Sequence, residues 1–246
     1  MEAATKVVQA FLQSGKEYVC VMRLHAEVPE KRIKDVLNEF QGAIYQRPPV
    51  RASVKRRLRT RKIYYLDFLE MDERNVLFKV GCEAGTYIRK LCHDIGEALG
   101  FGAHMRELRR TRVGPFTEDR GLVTLHDISY LYSQWQETGD ERNLRRFIQP
   151  METSVELLPK IYIRDSAVDA VCHGANLAAP GVLLLDTKIQ PGDLVVVSTQ
   201  KGEAVALSKA LVSTQAIRNM GHGLVAETRR VLMPRGVYPK MWRATK

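Results

Sequence analysis

Apolar residues recur along this chain in two periods, and the period changes where the predicted elements change. Val7, Val8, Phe11 and Leu12 follow helical spacing, with Thr5 placed to cap a short helix and Gly15 to stop it. Residues 16–24 alternate as a strand. Residues 29–40 form an amphipathic helix with Ile33, Val36, Leu37 and Phe40 on one face and Pro29 in its first turn. Pro48-Pro49 leaves no regular element predicted across 41–62. Two β-rich runs follow, 63–69 and 76–82, joined by a turn at Asp72-Glu73-Arg74-Asn75. Residues 81–96 read as a strand end, a Gly turn and a helix beginning at Thr86. Its Ile88, Leu91, Cys92, Ile95 and Leu99 share a face, and Gly100 ends it. Residues 104–113 alternate again, and 127–135 and 141–148 predict surface helices.

The pattern shifts near 150–159. Beyond it, short apolar runs at 161–164, 181–186, 193–198, 203–211 and 224–233 are split by Gly and Pro-Gly pairs, which suggests a small closed or half-closed barrel. One helix, 165–173, interrupts them, with Asp165 or Ser166 to cap it and Gly174 to end it. The chain therefore reads as an α+β protein of two domains, residues 1–157 and residues 158–246.

Charge narrows the partners. The chain has 38 basic and 28 acidic residues, a net charge of +10. That excess favours a polyanion, nucleic acid first and anionic membrane second, although a merely basic soluble protein has the same total. Clustering favours nucleic acid. Residues 47–62 hold Arg47, Arg51, Lys55, Arg56, Arg57, Arg59, Arg61 and Lys62 and no acid, enough for roughly 4–6 phosphate contacts. From Thr228 onward, Arg229, Arg230, Arg235, Lys240, Arg243 and Lys246 again stand without an acid. No stretch approaches the length of a membrane span, and no signal-peptide layout opens the chain, so no membrane role is expected. Cys20, Cys82, Cys92 and Cys172 are scattered, with no C-x-x-C pair and no zinc spacing. They read as reduced, mostly buried thiols, and no metal is expected.

Familiar catalytic motifs are missing. Gly100-Phe101-Gly102 lacks the remaining spacing of a dinucleotide fingerprint, and neither H-E-x-x-H nor G-x-S-x-G occurs. His93 and Asp94 are adjacent on a helix and do not face each other. Arg89 is the more informative residue. It falls in the first turn of its helix, one residue off the apolar stripe, where burial requires a carboxylate or phosphate to receive it. A side chain that snorkels to water fits the same sequence. Tyr18 and Tyr87 are equally compatible with core packing.

Several segments together resemble the TruB/dyskerin pseudouridine synthases. Gly15-Lys16-Glu17-Tyr18 resembles the family's second motif. Arg47-Pro48-Pro49 with Ala52-Ser53-Val54-Lys55 resembles its Pro-Pro and basic segment. Gly85-Thr86-Tyr87-Ile88-Arg89 resembles the third motif, and Leu108-Arg109-Arg110-Thr111-Arg112-Val113-Gly114 its continuation. Within the family the likeness is to the dyskerin branch with its archaeal counterparts. It rests on residues 54–61, Cys82-Glu83-Ala84-Gly85, Thr124-Leu125-His126-Asp127, Asp165-Ser166-Ala167-Val168, Cys172-His173-Gly174-Ala175 and Val237-Tyr238-Pro239-Lys240-Met241-Trp242.

The resemblance implies a mixed-sheet pseudouridine synthase domain, partial at its N-terminus, followed by a β-rich PUA pseudobarrel that binds RNA. It implies Tyr18 stacked on the flipped uracil, Arg89 paired with a nucleophilic Asp, and Tyr87 and Leu108 lining the pocket. RNA contacts fall to Arg47, Lys55, Arg56, Arg57, Arg59, Arg61, Lys62, Arg229 and Arg230. The family's first motif, a His-Ser-Gly-Thr-Leu-Asp-Pro-like loop, supplies the Asp and lies upstream of Glu2. None of this chain's Asp residues sits in such a loop. The implied function is the catalytic subunit of an H/ACA ribonucleoprotein, present as a truncated chain and acting on rRNA or tRNA uridines in the cytoplasm without a cofactor. Its partners would be an H/ACA guide RNA, the substrate RNA, a small zinc-ribbon protein, a Gly-Arg-type β-barrel protein and a kink-turn-binding protein. A catalytically inactive guide-RNA scaffold and a stand-alone TruB-type tRNA modifier are the alternatives.

Overall fold

The computed structural model describes residues 5–49 and 54–241. Residues 11–122 form one compact unit, and 123–241 with 5–10 form another. Arg51, Ala52 and Ser53 of the basic segment, and Trp242, Arg243 and Lys246 of the tail, lie outside the described residues.

A short helix α1 (Val8–Gln13) leads into strand β1 (Lys16–Leu24). The Lys16 ammonium donates to the carbonyls of Phe11 at 3.1 Å and Ser14 at 2.8 Å, neutralising orphan acceptors at the end of α1. Helix α2 (Glu30–Glu39) follows as the apolar spacing predicts, flanked by Pro29 and Phe40. Strands β2 (Gly42–Gln46), β3 (Arg59–Asp72) and β4 (Asn75–Cys82) come next, then α3 (Ile88–Leu99), β5 (Ala103–Val113) and the two-residue β6 (Phe116–Thr117).

The first sheet has the order β2-β3-β4-β1-β5-β6. Its described pairings are all antiparallel, where a mixed sheet was expected. The crossover β4–α3–β5 does join two strands of one direction, but β1 lies between them, so no parallel pair forms. Helices α2 and α3 cover one face. Ile33, Leu37, Leu91, Cys92, Ile95 and Leu99 meet Cys20, Met22, Leu24, Phe78 and Val80 in a single core. Each large aliphatic side chain buried this way contributes about 1.5–3 kcal/mol.

Two features of this unit differ from the sequence reading. Residues 42–46 are a strand, and β3 begins at Arg59, so Arg59, Arg61 and Lys62 stand on a strand and not in a loop. The cause is tertiary: Gly42↔Ile63 through Gln46↔Arg59 pair across the Pro-Pro segment, and each run alone is too short and too polar to carry a period.

In the second unit, α4 (Leu125–Thr138) starts with a reciprocal capping box between Thr124 and Asp127, and no residue of it is buried. A four-residue helix α5 (Arg142–Arg145) follows. Then come β7 (Lys160–Ile163), α6 (Asp165–Cys172), β8 (Leu177–Ala178), β9 (Val182–Leu185), β10 (Leu194–Ser198), β11 (Ala204–Ala210), α7 (Thr214–Asn219) and β12 (Leu224–Val231). They make a near-closed, barrel-like sheet of order β8-β12-β11-β10-β7-β9, with β7 parallel to β10. Val195, Val196 and Val197 are fully buried, which explains an unbroken apolar run in a central strand. Arg164, not Asp165 or Ser166, occupies the cap position of α6, and Asp165 lies in its first turn, where a carboxylate favours the helix dipole.

All four cysteines are free and buried, and the Cys20 and Cys92 sulfurs lie 3.6 Å apart between β1 and α3. Among the described residues no helix is long and apolar enough to cross a membrane.

Candidate functional site

The strand–turn–helix at 81–96 is built as the sequence indicates. β4 ends at buried Cys82, and the turn is closed by Thr86, whose hydroxyl and amide both donate to the Glu83 carbonyl at 2.7 and 3.3 Å. Gly85 adopts φ 79°, a left-handed conformation that side chains rarely take. A Cβ there would lie 3.3 Å from the Arg61 guanidinium, which packs over the turn. Arg61 is further held by the Thr60 carbonyl at 3.0 Å and by Glu83 at 3.7 Å.

Tyr87 caps α3, and its backbone is clamped from β2. Buried Gln46 accepts from the Tyr87 amide at 3.0 Å and donates to the Tyr87 carbonyl at 3.2 Å. One side-chain amide thus satisfies a donor and an acceptor at a helix start and fixes where the next residues point. Arg89 follows in the first turn, exposed, with no hydrogen bond or ion pair among the described residues.

Tyr18 is half-buried on the helix-covered face of β1, where it packs against the core. It lies opposite Val80 of β4 and Arg110 of β5. Burial pushes its hydroxyl pKa up, and Arg110 beside it pulls the other way. The Cys82 thiol, pushed up by burial and touched by Thr86, is within electrostatic reach of Tyr18. Tyr18, Cys82, Thr86 and Arg110 therefore share one end of the sheet. Leu108 pairs with Cys20 further along β5 and is 41% exposed.

The opposite face at this end carries a network that the sequence did not reveal. The Glu17 carboxylate accepts from the Tyr65 hydroxyl and from Thr111 at 2.7 Å, while Arg112 donates to Tyr65 at 3.0 Å. The Tyr65 bond, opposed by burial and aided by Thr111, holds the Glu17 carboxyl below its usual range. A depressed folded pKa contributes stability above the unfolded carboxylate pKa, and this is lost as pH falls through the folded value. Melts of the wild type and Glu17→Gln from pH 7 to pH 3 are expected to converge as the acid limb is reached. Parallel curves would show that the network adds no pH dependence.

The predicted RNA contacts separate by environment. Arg47, Lys55, Arg56, Arg57 and Lys62 are exposed, and Arg59 is half-buried. Arg56 and Arg59 spend donors on the carbonyls of Pro48 and Lys55, each at 3.3 Å, so they brace the segment without losing charge. Arg229 pairs with Glu227 at 2.9 Å on β12, while its exposed neighbour Arg230 forms no ion pair among the described residues.

Three family models cover the chain in succession: the TruB family pseudouridylate synthase N-terminal domain over residues 1–88, the tRNA pseudouridylate synthase B C-terminal domain over 89–156, and the PUA domain over 159–232. A probable tRNA pseudouridine synthase B from Pyrococcus horikoshii is 60% identical over 98% of this chain and 72% of its own length. One from Methanopyrus kandleri is 57% identical over 98% and 71%. A solved Cbf5-Nop10-Gar1 complex contains a chain 57% identical with TM-score 0.93, over 97% of this chain and 72% of that one. An H/ACA RNP bound to a substrate RNA containing 2'-deoxyuridine contains one 54% identical with TM-score 0.89, over 98% and 73%. With these matches running from end to end over the motif helix, the antiparallel sheet and the barrel-like sheet, the chain belongs to the TruB family of pseudouridine synthases, carries a C-terminal PUA domain and lies close to archaeal Cbf5.

Proposed function

We propose that this chain is the uridine- and RNA-holding part of an RNA-guided pseudouridine synthase acting on rRNA in an H/ACA particle, and that the nucleophilic carboxylate comes from outside these 246 residues. The observation that carries the reading is Arg89. It is exposed, fixed through Tyr87 by Gln46, and without an acidic partner among the described residues. A guanidinium held in this way offers a seat for a carboxylate.

In this reading the target base leaves its stack and lies on Tyr18, with Tyr87 and Leu108 lining its pocket. Arg89 keeps the incoming carboxylate ionised in a site that excludes water. Arg47, Lys55, Arg56, Arg57, Arg59 and Lys62 hold RNA backbone, and residues 158–246, with Arg230 exposed on β12, hold the end of the guide RNA. Arg61 and Arg229 are engaged within the protein, so they act first on structure. Solved relatives complexed with Nop10 and Gar1 and with substrate RNA support counterparts of those partners here. Relatives named as tRNA pseudouridine synthases favour a second reading, guide-independent action on tRNA.

The test is pseudouridine formation on an rRNA fragment with guide RNA and accessory proteins, with and without an added relative's segment that contains the Asp loop. This chain alone is expected to bind guide RNA without turnover, and the added segment to restore turnover. Arg89→Ala is then expected to lower turnover by about 10²–10³-fold with guide binding unchanged. Turnover by this chain alone sinks the external carboxylate. Turnover on tRNA without guide RNA replaces the first reading by the second.

A further inference from the structure

The far end of the first sheet carries a row of cations that no acid neutralises. On the three central strands, Asn75, Arg23 and His104 stand side by side, Arg23 being the register partner of both. Adjacent strands lie about 4.8 Å apart, so the row spans about 10 Å. Arg23 and Arg106 both donate to one neutral oxygen, Asn75 Oδ1, at 3.0 and 3.1 Å. Arg74 donates to the His25 carbonyl at 3.3 Å. The exposed rings of His25 and His104 are bonded to each other, Nε2 to Nδ1, at 2.9 Å. The bordering acids Asp72, Glu73 and Glu107 form no ion pair with any of these groups among the described residues.

The other end of the same sheet differs. There Arg109 pairs with Glu118 at 2.8 Å, Arg61 with Glu83 at 3.7 Å, and Arg112 joins the Glu17–Tyr65 network. Guanidinium groups fixed by neutral acceptors keep their full charge and their geometry, which suits an external anion. The aromatic rings beside the cluster already have partners. Its two imidazoles are bonded together, and the nearby Phe101 ring already holds the Arg32 guanidinium 5.8 Å from its centroid. Single-stranded RNA is gripped by stacking as well as charge, so a row of cations alone fits the backbone of a duplex.

We infer that Arg23, Arg74, Arg106 and His104 form a second RNA contact, a seat for consecutive phosphates of an RNA stem. It is separate from the Tyr18 pocket. Arg23 lies five residues beyond Tyr18 on β1, roughly 17 Å at about 3.3 Å per residue, and on the opposite face of the sheet. The inference rests on the RNA-binding reading above and adds where the stem runs.

The test is binding of a mixed-sequence 16-bp RNA duplex and of guide RNA across a salt series, for wild type and Arg23→Gln/Arg106→Gln. The variant is expected to bind the duplex on the order of tenfold more weakly, with the salt slope reduced by roughly 2. In wild-type protein, the duplex is expected to protect Arg23 and Arg106 from phenylglyoxal, a readout that does not depend on the variant folding. Wild type that binds neither RNA overturns the RNA-binding reading itself. Wild type that binds, with Arg23 and Arg106 unprotected and the variant unimpaired, overturns this inference alone. Protection by poly-glutamate but not by the duplex assigns the row to an acidic protein and also overturns it.

Discussion

Gly96→Ala is expected to unfold the first unit more readily than any conservative change on its surface, by about 3 kcal/mol or more. Gly96 is buried in α3 where the helix crosses the start of β5. A Cβ there would lie 2.1 Å from the Ala103 amide nitrogen and 2.5 Å from the Gly102 carbonyl carbon. Both are backbone atoms, and both are tethered. The Gly102 amide donates to the Gly96 carbonyl at 2.9 Å, and the His25 amide donates to the Gly102 carbonyl at 3.0 Å. Relief therefore requires α3 to lift off the sheet, exposing Leu91, Cys92, Ile95 and Leu99. For a unit of this size the fall in Tm is on the order of 10–20 °C. Gly100→Ala at the C-cap of the same helix is the control. Its φ is 87°, but open space surrounds it, so only conformational strain of about 1–2 kcal/mol is expected. Equal melting of the two variants by calorimetry would refute the close-approach argument.

Gln46→Leu is expected to cost about 1–3 kcal/mol and to loosen the start of α3. The substitution fills the same volume but strands the Tyr87 amide, with a desolvation penalty of about 1–3 kcal/mol if it finds no new partner, while the Tyr87 carbonyl keeps the Leu91 amide at 3.0 Å. Gln46→Glu separates the two halves of the clamp. The carboxylate still accepts from the Tyr87 amide but repels its carbonyl, and on protonation it regains a donor. Its deficit relative to wild type is therefore expected to shrink as pH falls, while that of Gln46→Leu stays constant. Hydrogen exchange at Tyr87 and Ile88 gives the local readout. Deficits that track each other across pH would show that Gln46 acts by packing alone.

The helices and the long strands were legible because their periods are carried by residues that face one core. Ile33, Val36 and Leu37 of α2 and Ile88, Leu91, Ile95 and Leu99 of α3 are such sets, and the sequence placed both helices within two residues of their bounds. Strand β2 was not legible, because its partner 59–63 lies beyond the Pro-Pro segment and no local signal announces a pairing. The two-residue β8 and six-residue α7 are too short for either period. At the candidate site, Tyr18 was legible only through motif resemblance, while Arg89 stood out by its place in the first helical turn and took its role from the resemblance. Gln46, Tyr65 and Arg61 owe their roles to partners 41, 48 and 22 positions away, and a single sequence does not state such distances. The basic run misled in one respect: it presented eight equal cations, while the fold takes Arg61 inward to pack over Gly85.

The position of β1 between β4 and β5 also sets a clock. Its hydrogen bonds on one side wait for Cys82 and on the other for Val113, roughly ninety residues after Leu24 is made, or about 5–20 s of ribosomal synthesis. Until Cys82 is made β1 has neither neighbour, and until Val113 is made it has only β4. The buried Cys20, Met22 and Leu24 of β1 are then open to any passing edge, and high contact order slows the closure further. The unit that holds Tyr18 thus closes only when β5 arrives, and its central strand stays unpaired on one side until then.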